Sequence, residues 1–138
     1  MLKSTTPAAL PPPSPPTVFR TYTPRTLLEF DGNDGRPIYL AIRGRVFDVS
    51  RKPHFYGPSG PYANFAGRDA TRGLACQSFD KDMLTEDLDG PLDDLKGLGP
   101  SEMESLKGWE ESFEGNYIVV GQLVSVEDYE KEKAEKTS

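Results

Sequence analysis

Histidine and cysteine are almost missing from this 138-residue chain, which has one of each, His54 and Cys76. A single cysteine excludes an intrachain disulfide and a cysteine-rich zinc site, and suits a reducing compartment. Cys76 itself reads as a small buried hydrophobe. Basic residues are also in deficit. Lys and Arg number 16 against 22 Asp and Glu, a formal net charge of -6, so the clustered cations of a phosphate-binding surface are lacking and nucleic acid is not an expected partner. No segment approaches the roughly 18 consecutive apolar residues of a membrane-spanning helix. Near the start, Ala8-Ala9-Leu10 runs straight into Pro11-Pro12-Pro13-Ser14-Pro15-Pro16, which leaves no apolar core for a secretory signal. A Gly-Xaa-Ser-Xaa-Gly elbow, a phosphate loop and paired metal-binding histidines are likewise absent, so no enzymatic activity is expected.

What is present divides into three stretches. Residues 1–17 are proline-rich without apolar periodicity and read as a disordered arm of polyproline character, a spacer or an SH3-type ligand. Residues 18–125 read as one α+β domain. Residues 126–138 alternate acids with lysines and read as a frayed helix or a disordered tail.

Within the domain, Val18 to Tyr22 suits a strand, and Thr23 suits an N-cap with Pro24 at the first helical position. The Asp31-Gly32-Asn33-Asp34-Gly35 cluster stops that helix. Ile38 to Ile42 and Arg45 to Val49 read as a hairpin turned at Arg43-Gly44. Asn64 to Gln77 reads as short helices broken at Gly67 and Gly73, followed by a helix capped by Asp80 and then an acidic loop from Thr85 to Gly99. Ser101 and Glu104 have capping-box spacing ahead of Met103, Leu106, Trp109 and Phe113, the clearest amphipathic helix. Gly115 ends it, and Tyr117 to Val124 forms a last strand, with Ile118-Val119-Val120 expected in the sheet core.

The most specific stretch is Phe55-Tyr56-Gly57-Pro58-Ser59-Gly60-Pro61-Tyr62-Ala63-Asn64-Phe65-Ala66-Gly67-Arg68-Asp69-Ala70-Thr71-Arg72-Gly73. It resembles the signature of the membrane-associated progesterone receptor proteins, a branch of the cytochrome b5-like haem/steroid-binding fold that includes fungal damage-response haem binders. Ala41 to Val49 resembles the hairpin of the wider superfamily. With one histidine, the two-imidazole ligation of an ordinary cytochrome b5 cannot be assembled within one copy.

The resemblance implies haem b whose iron is held by a tyrosine oxygen, at Tyr62. It places Tyr117 as a donor to that oxygen and Tyr56 at the haem edge. Asn116 stands where relatives often carry lysine, which removes a cation near the site. His54 is a sixth ligand, a haem ligand in place of Tyr62, or a solvated loop residue, the last being the simpler reading. Arg68 and Asp69 are expected to pair with each other or with nearby caps, and Arg72 lies within reach of a propionate. The implied role is support of a haem-thiolate sterol monooxygenase at the cytosolic face of the endoplasmic reticulum through peripheral membrane contact, or else in the cytoplasm. A sterol in the same pocket is the alternative ligand, and a ligand-free interaction module the other. A five-coordinate haem would leave a face for stacking in a homodimer. The acidic residues Glu86, Asp87, Asp89, Asp93 and Asp94 would face a basic docking surface.

Overall fold

A computed structural model describes residues 19–137. The proline-rich arm assigned to residues 1–17 lies outside the described residues. The first strand, β1 (Arg20–Tyr22), leads into α1 (Pro24–Leu27), a single turn held as the sequence predicts. The Thr23 hydroxyl accepts from the Thr26 amide at 3.3 Å, and the Thr26 hydroxyl accepts from the Thr23 amide at 2.8 Å. These bonds satisfy donors that a helix start otherwise leaves unpaired.

Strands β2 (Tyr39–Ile42) and β3 (Arg45–Asp48) form the expected hairpin. Both turn residues have positive φ, 48° at Arg43 and 83° at Gly44, the twist that a two-residue hairpin needs. Next come α2 (Pro53–Tyr56), α3 (Thr71–Cys76), the long α4 (Pro100–Asn116), β4 (Ile118–Leu123) and α5 (Val126–Thr137). Single 3-10 turns at Asn33–Gly35, Ala63–Phe65 and Lys81–Met83 join them.

The strands order β1-β4-β3-β2, with β1 parallel to β4 and the other pairs antiparallel. Period-two alternation gives this sheet two buried faces. Leu40, Ile42 and Phe47 face one core with Phe65, Leu106 and Phe113. Ala41, Val46 and Val120 face another with Tyr22, Leu27 and Leu123. Among the described residues no helix is long and apolar enough to cross a membrane.

Several local expectations need correction. Gly73 does not break a helix: it lies inside α3, where a Cβ would come within 2.6 Å of the Phe65 ring. Its role is close packing, which periodicity cannot show. The long helix is capped two residues earlier than Ser101 and Glu104 suggest, by Glu102 accepting from the Gly99 amide at 2.7 Å, and it continues past Gly115 to Asn116. Asp80 precedes its 3-10 turn without making a side-chain capping bond. Ile118 is 62% exposed at the strand's start, so burial of β4 begins only with the residues after it.

Candidate functional site

The signature stretch folds into a loop that returns on itself. The Tyr62 amide donates to the Phe55 carbonyl at 2.8 Å, and the Gly60 amide donates to the Gly57 carbonyl at 2.9 Å. A Cβ on Gly60 would collide with that same Phe55 carbonyl, so the return requires glycine. Closing the loop sets the Tyr56 and Tyr62 rings side by side with centroids 5.6 Å apart.

A second segment closes over them. Asn64 donates through Nδ2 to the Phe79 carbonyl at 2.8 Å. The Phe79 ring then lies 4.7 Å from that of Tyr62 and 5.8 Å from that of Phe65. With Gly73, Leu74 and Gln77 from α3 and its C-terminus, and Trp109 from α4, these residues enclose a cavity of about 180 Å³.

Helix α3 is anchored by a polar chain at its start. The Arg43 amide donates to the Thr71 hydroxyl at 2.8 Å, and that hydroxyl donates to the Asp69 carboxylate at 2.5 Å. Burial pushes the Asp69 carboxyl up from its ordinary value, opposed by the bonds from Thr71. Arg72 grips Asp93 with two bonds, at 2.6 and 2.8 Å, and also donates to the Lys96 carbonyl.

Tyr56 is buried, Tyr62 and Tyr117 half-buried. Ring contacts run from Tyr62 to Tyr56, on to Phe113 at 6.3 Å, and from Phe113 to Tyr117 at 4.9 Å. Burial, then the neighbouring Tyr117 and Tyr62 oxygens, then a hydrogen bond with Tyr117 raise the Tyr56 hydroxyl well above the usual phenol range. Tyr56 therefore stays protonated at neutral pH. Among the described residues the Tyr62 hydroxyl makes no hydrogen bond, so its oxygen is available to a ligand.

Asn116 turns away from this group. It is exposed and donates to the Ser112 carbonyl of its own helix at 2.7 Å. His54 is exposed and does not line the cavity. Arg68 and Asp69 do not pair with each other: Arg68 donates to the Thr85 carbonyl at 2.6 Å while Asp69 serves Thr71. Arg72 is likewise committed to Asp93 rather than open to a propionate. Sequence reasoning missed the contribution of Phe65, Leu74, Gln77, Phe79 and Trp109 to the cavity. Phe79, 44% exposed beside an acidic segment, carries no periodic signal that would have marked it.

The donor set tests which group fits. The lining offers two phenols and one amide, with no imidazole, thiol or carboxylate. A hard ferric iron suits a phenolate oxygen, and of the two lining phenols Tyr62 is the half-buried one, whereas Tyr56 is buried and its hydroxyl is raised by that burial. The volume is below the roughly 300–1,000 Å³ of ordinary small-molecule sites, so a large flat ligand requires the exposed Phe79 ring to move aside.

The profile of the family described as "Cytochrome b5-like Heme/Steroid binding domain" matches residues 23–123. The chain is 42% identical over 107 residues to a Schizosaccharomyces pombe protein named Cytochrome P450 regulator dap1, covering 78% of this chain and 64% of that one. It is 45% identical over 105 residues to human membrane-associated progesterone receptor component 2, covering 76% and 45%. It is 42% identical over 121 residues to rice (Oryza sativa subsp. japonica) membrane steroid-binding protein 1, covering 85% and 49%. The chain thus spans about half to nearly two thirds of the length of these relatives. The solution structure of a putative steroid-binding protein from Arabidopsis aligns with a TM-score of 0.65 at 40% identity, over 76% of this chain and 97% of that one. A hypothetical Arabidopsis thaliana protein described as having a cytochrome b5 like fold aligns with a TM-score of 0.66 at 40% identity, over 78% and 93%. The chain belongs to the cytochrome b5-like heme/steroid binding domain family, within its membrane-associated progesterone receptor branch.

Proposed function

We propose that this chain holds haem b through the Tyr62 oxygen and supports a haem-thiolate monooxygenase of sterol metabolism, as a stabilising partner or a haem donor, at the cytosolic face of the endoplasmic reticulum. The observation that carries this reading is the donor set: an aromatic cavity in which the half-buried Tyr62 presents a hydroxyl that makes no hydrogen bond among the described residues. The relative named as a cytochrome regulator supports the partner class.

Bound as a phenolate, a tyrosine favours the ferric state and depresses the reduction potential, which suits storage and delivery better than electron shuttling. Tyr117 is the proposed donor that stabilises this phenolate, with Tyr56 at the haem edge. Phe65, Leu74 and Trp109 exclude water from that oxygen. Domain limits at 18–125, with an arm before and a charged tail after, belong to the same proposal.

The apolar lining with a single amide at Gln77 also favours a second reading, a sterol whose hydroxyl meets that amide, in keeping with the relatives named steroid-binding proteins. An absorption spectrum after haem supplementation separates the two. Tyr62→Phe removes one oxygen without changing ring volume, so the Soret band is expected to vanish while circular dichroism stays unchanged. A normal high-spin spectrum in Tyr62→Phe, with loss in His54→Ala, would assign the iron to the histidine. Stoichiometric sterol binding by the haem-free protein, indifferent to Tyr62→Phe, would favour the sterol.

A further inference from the structure

Arg68 carries a charge that the fold does not balance. Its neighbour Asp69 serves Thr71, and the guanidinium makes one bond, from Nη2 to the Thr85 carbonyl at 2.6 Å, with no ion pair among the described residues. Burial lowers its pKa, and no carboxylate acts in the other direction. A half-buried guanidinium with one protein partner for its five N–H donors is costly to hold. The backbone nevertheless pins it. The Gly67 amide donates to the Tyr39 carbonyl at 2.7 Å, the Ala41 amide to the Arg68 carbonyl at 3.0 Å and the Ala70 amide to the Ala41 carbonyl at 2.8 Å, which seams residues 67–70 to the outer edge of β2.

Arg68 lines a groove of about 550 Å³ that shares no lining residue with the tyrosine cavity. Leu28, Leu84 and Leu88, all half-buried, give the groove apolar walls. Lys81 adds a second cation, exposed and without an ion pair among the described residues, and Glu86 is the one carboxylate on the lining, exposed as well. The volume lies within the roughly 300–1,000 Å³ of small-molecule sites. A guanidinium fork matches the two oxygens of a carboxylate. A phosphate group would set a third oxygen against leucine.

We propose that this groove binds a carboxylate carried on an apolar chain, a fatty acid of medium length, with Arg68 gripping the carboxylate, Lys81 at the rim and the three leucines against the chain. The protein's net charge of -6 repels anions at long range, so affinity comes from these two local cations and from apolar burial, which a bare anion cannot use. Nothing in this depends on haem or on Tyr62.

The test titrates the full chain with sodium decanoate, kept below its micelle concentration, by calorimetry, and follows the Arg68 Nε–Hε signal by NMR. Saturation at one site with movement of that signal is expected, while decanol, which lacks the charge, and acetate, which lacks the chain, bind at least about tenfold more weakly. Arg68→Gln should weaken decanoate about tenfold to a hundredfold, the range for a hydrogen bond to a charged group. Because that variant also alters the bond to Thr85, Glu86→Gln probes the same groove from its exposed rim and should tighten decanoate severalfold. Equal decanoate affinity in all three proteins overturns the proposal, as does an Arg68 signal that stays still at saturation. Acetate or inorganic phosphate binding as tightly as decanoate gives the groove to a bare anion, and decanoate binding abolished by haem loading gives the chain to the tyrosine cavity. Either result also overturns it.

Discussion

Tyr56 is the phenol that the fold keeps protonated. Burial, Tyr117 and Tyr62 all act in that direction, so the residue beside the proposed ligand is a donor at any physiological pH. Tyr117 has its ring packed at 4.9 Å against Phe113 and the Arg51 guanidinium 5.4 Å from its centroid. Ring contacts through Phe113 and Tyr56 place Tyr117 one step behind Tyr62. Groups one step removed from a metal ligand typically change its affinity about tenfold to a hundredfold. Tyr117→Phe is accordingly expected to speed haem transfer to apomyoglobin by about that factor while leaving the spectrum in place. A transfer rate equal to the wild type would remove Tyr117 from the site.

Helix α3 carries Gly73 and Leu74 into the cavity, and its other side is tied to the segment before α4 by the Arg72–Asp93 pair. That pair is largely shielded, with side-chain exposures of 23% and 15%, unlike the exposed Arg25–Asp89 pair, which adds little to stability. Hydrogen bonding to Arg72 holds the Asp93 carboxyl below its ordinary value despite burial. Because the folded value is depressed, the stabilisation is present above the ordinary carboxylate range and is lost as pH falls through the depressed value. Asp93→Asn should cost about 1–3 kcal/mol at neutral pH. Its melting-temperature deficit should begin to shrink below about pH 4, the ordinary carboxylate value, and close only once pH has fallen below the depressed value, where the wild-type carboxylate is protonated too. A deficit constant with pH would show that the loss is one of packing. Elements such as α1 and the β2-β3 hairpin were legible in the sequence because their signals are local: a capping threonine before proline, and glycine at a turn. The tyrosines of the signature were legible through motif. Phe79, Trp109 and the Arg72–Asp93 clasp were not, since each depends on which distant segment folds across α3, and neither periodicity nor charge spacing records that.

At the scale of the molecule, the sheet separates two packed faces, with Phe65, Phe113 and the tyrosine cavity on one side and Tyr22, Leu27 and Phe30 on the other. The segment between the Lys81–Met83 turn and α4 ties both sides together. Asp89 pairs with Arg25 on α1, and Asp93 pairs with Arg72 on α3. These bonds narrow the idea of an acidic docking face of five carboxylates: two are held in ion pairs with the fold, and Asp87 and Asp94 accept only from the Asp89 and Lys96 amides of their own segment. Glu86, Asp87 and Asp94 are exposed and make no ion pair among the described residues. In a protein of net charge -6, these three are the carboxylates of the segment free to steer a basic partner. Complementary charge chiefly accelerates encounter, and salt screens it over about 8 Å at physiological ionic strength. The triple variant Glu86→Gln, Asp87→Asn, Asp94→Asn should therefore associate severalfold more slowly with a basic-faced monooxygenase at low salt, and at the wild-type rate in high salt. Its melting temperature should match the wild type, whereas Asp93→Asn should lower it, which separates steering from folding. Stopped-flow association across a salt series measures the first effect. Equal rates for the triple variant and the wild type at low ionic strength would make this segment a strap for the fold and nothing more.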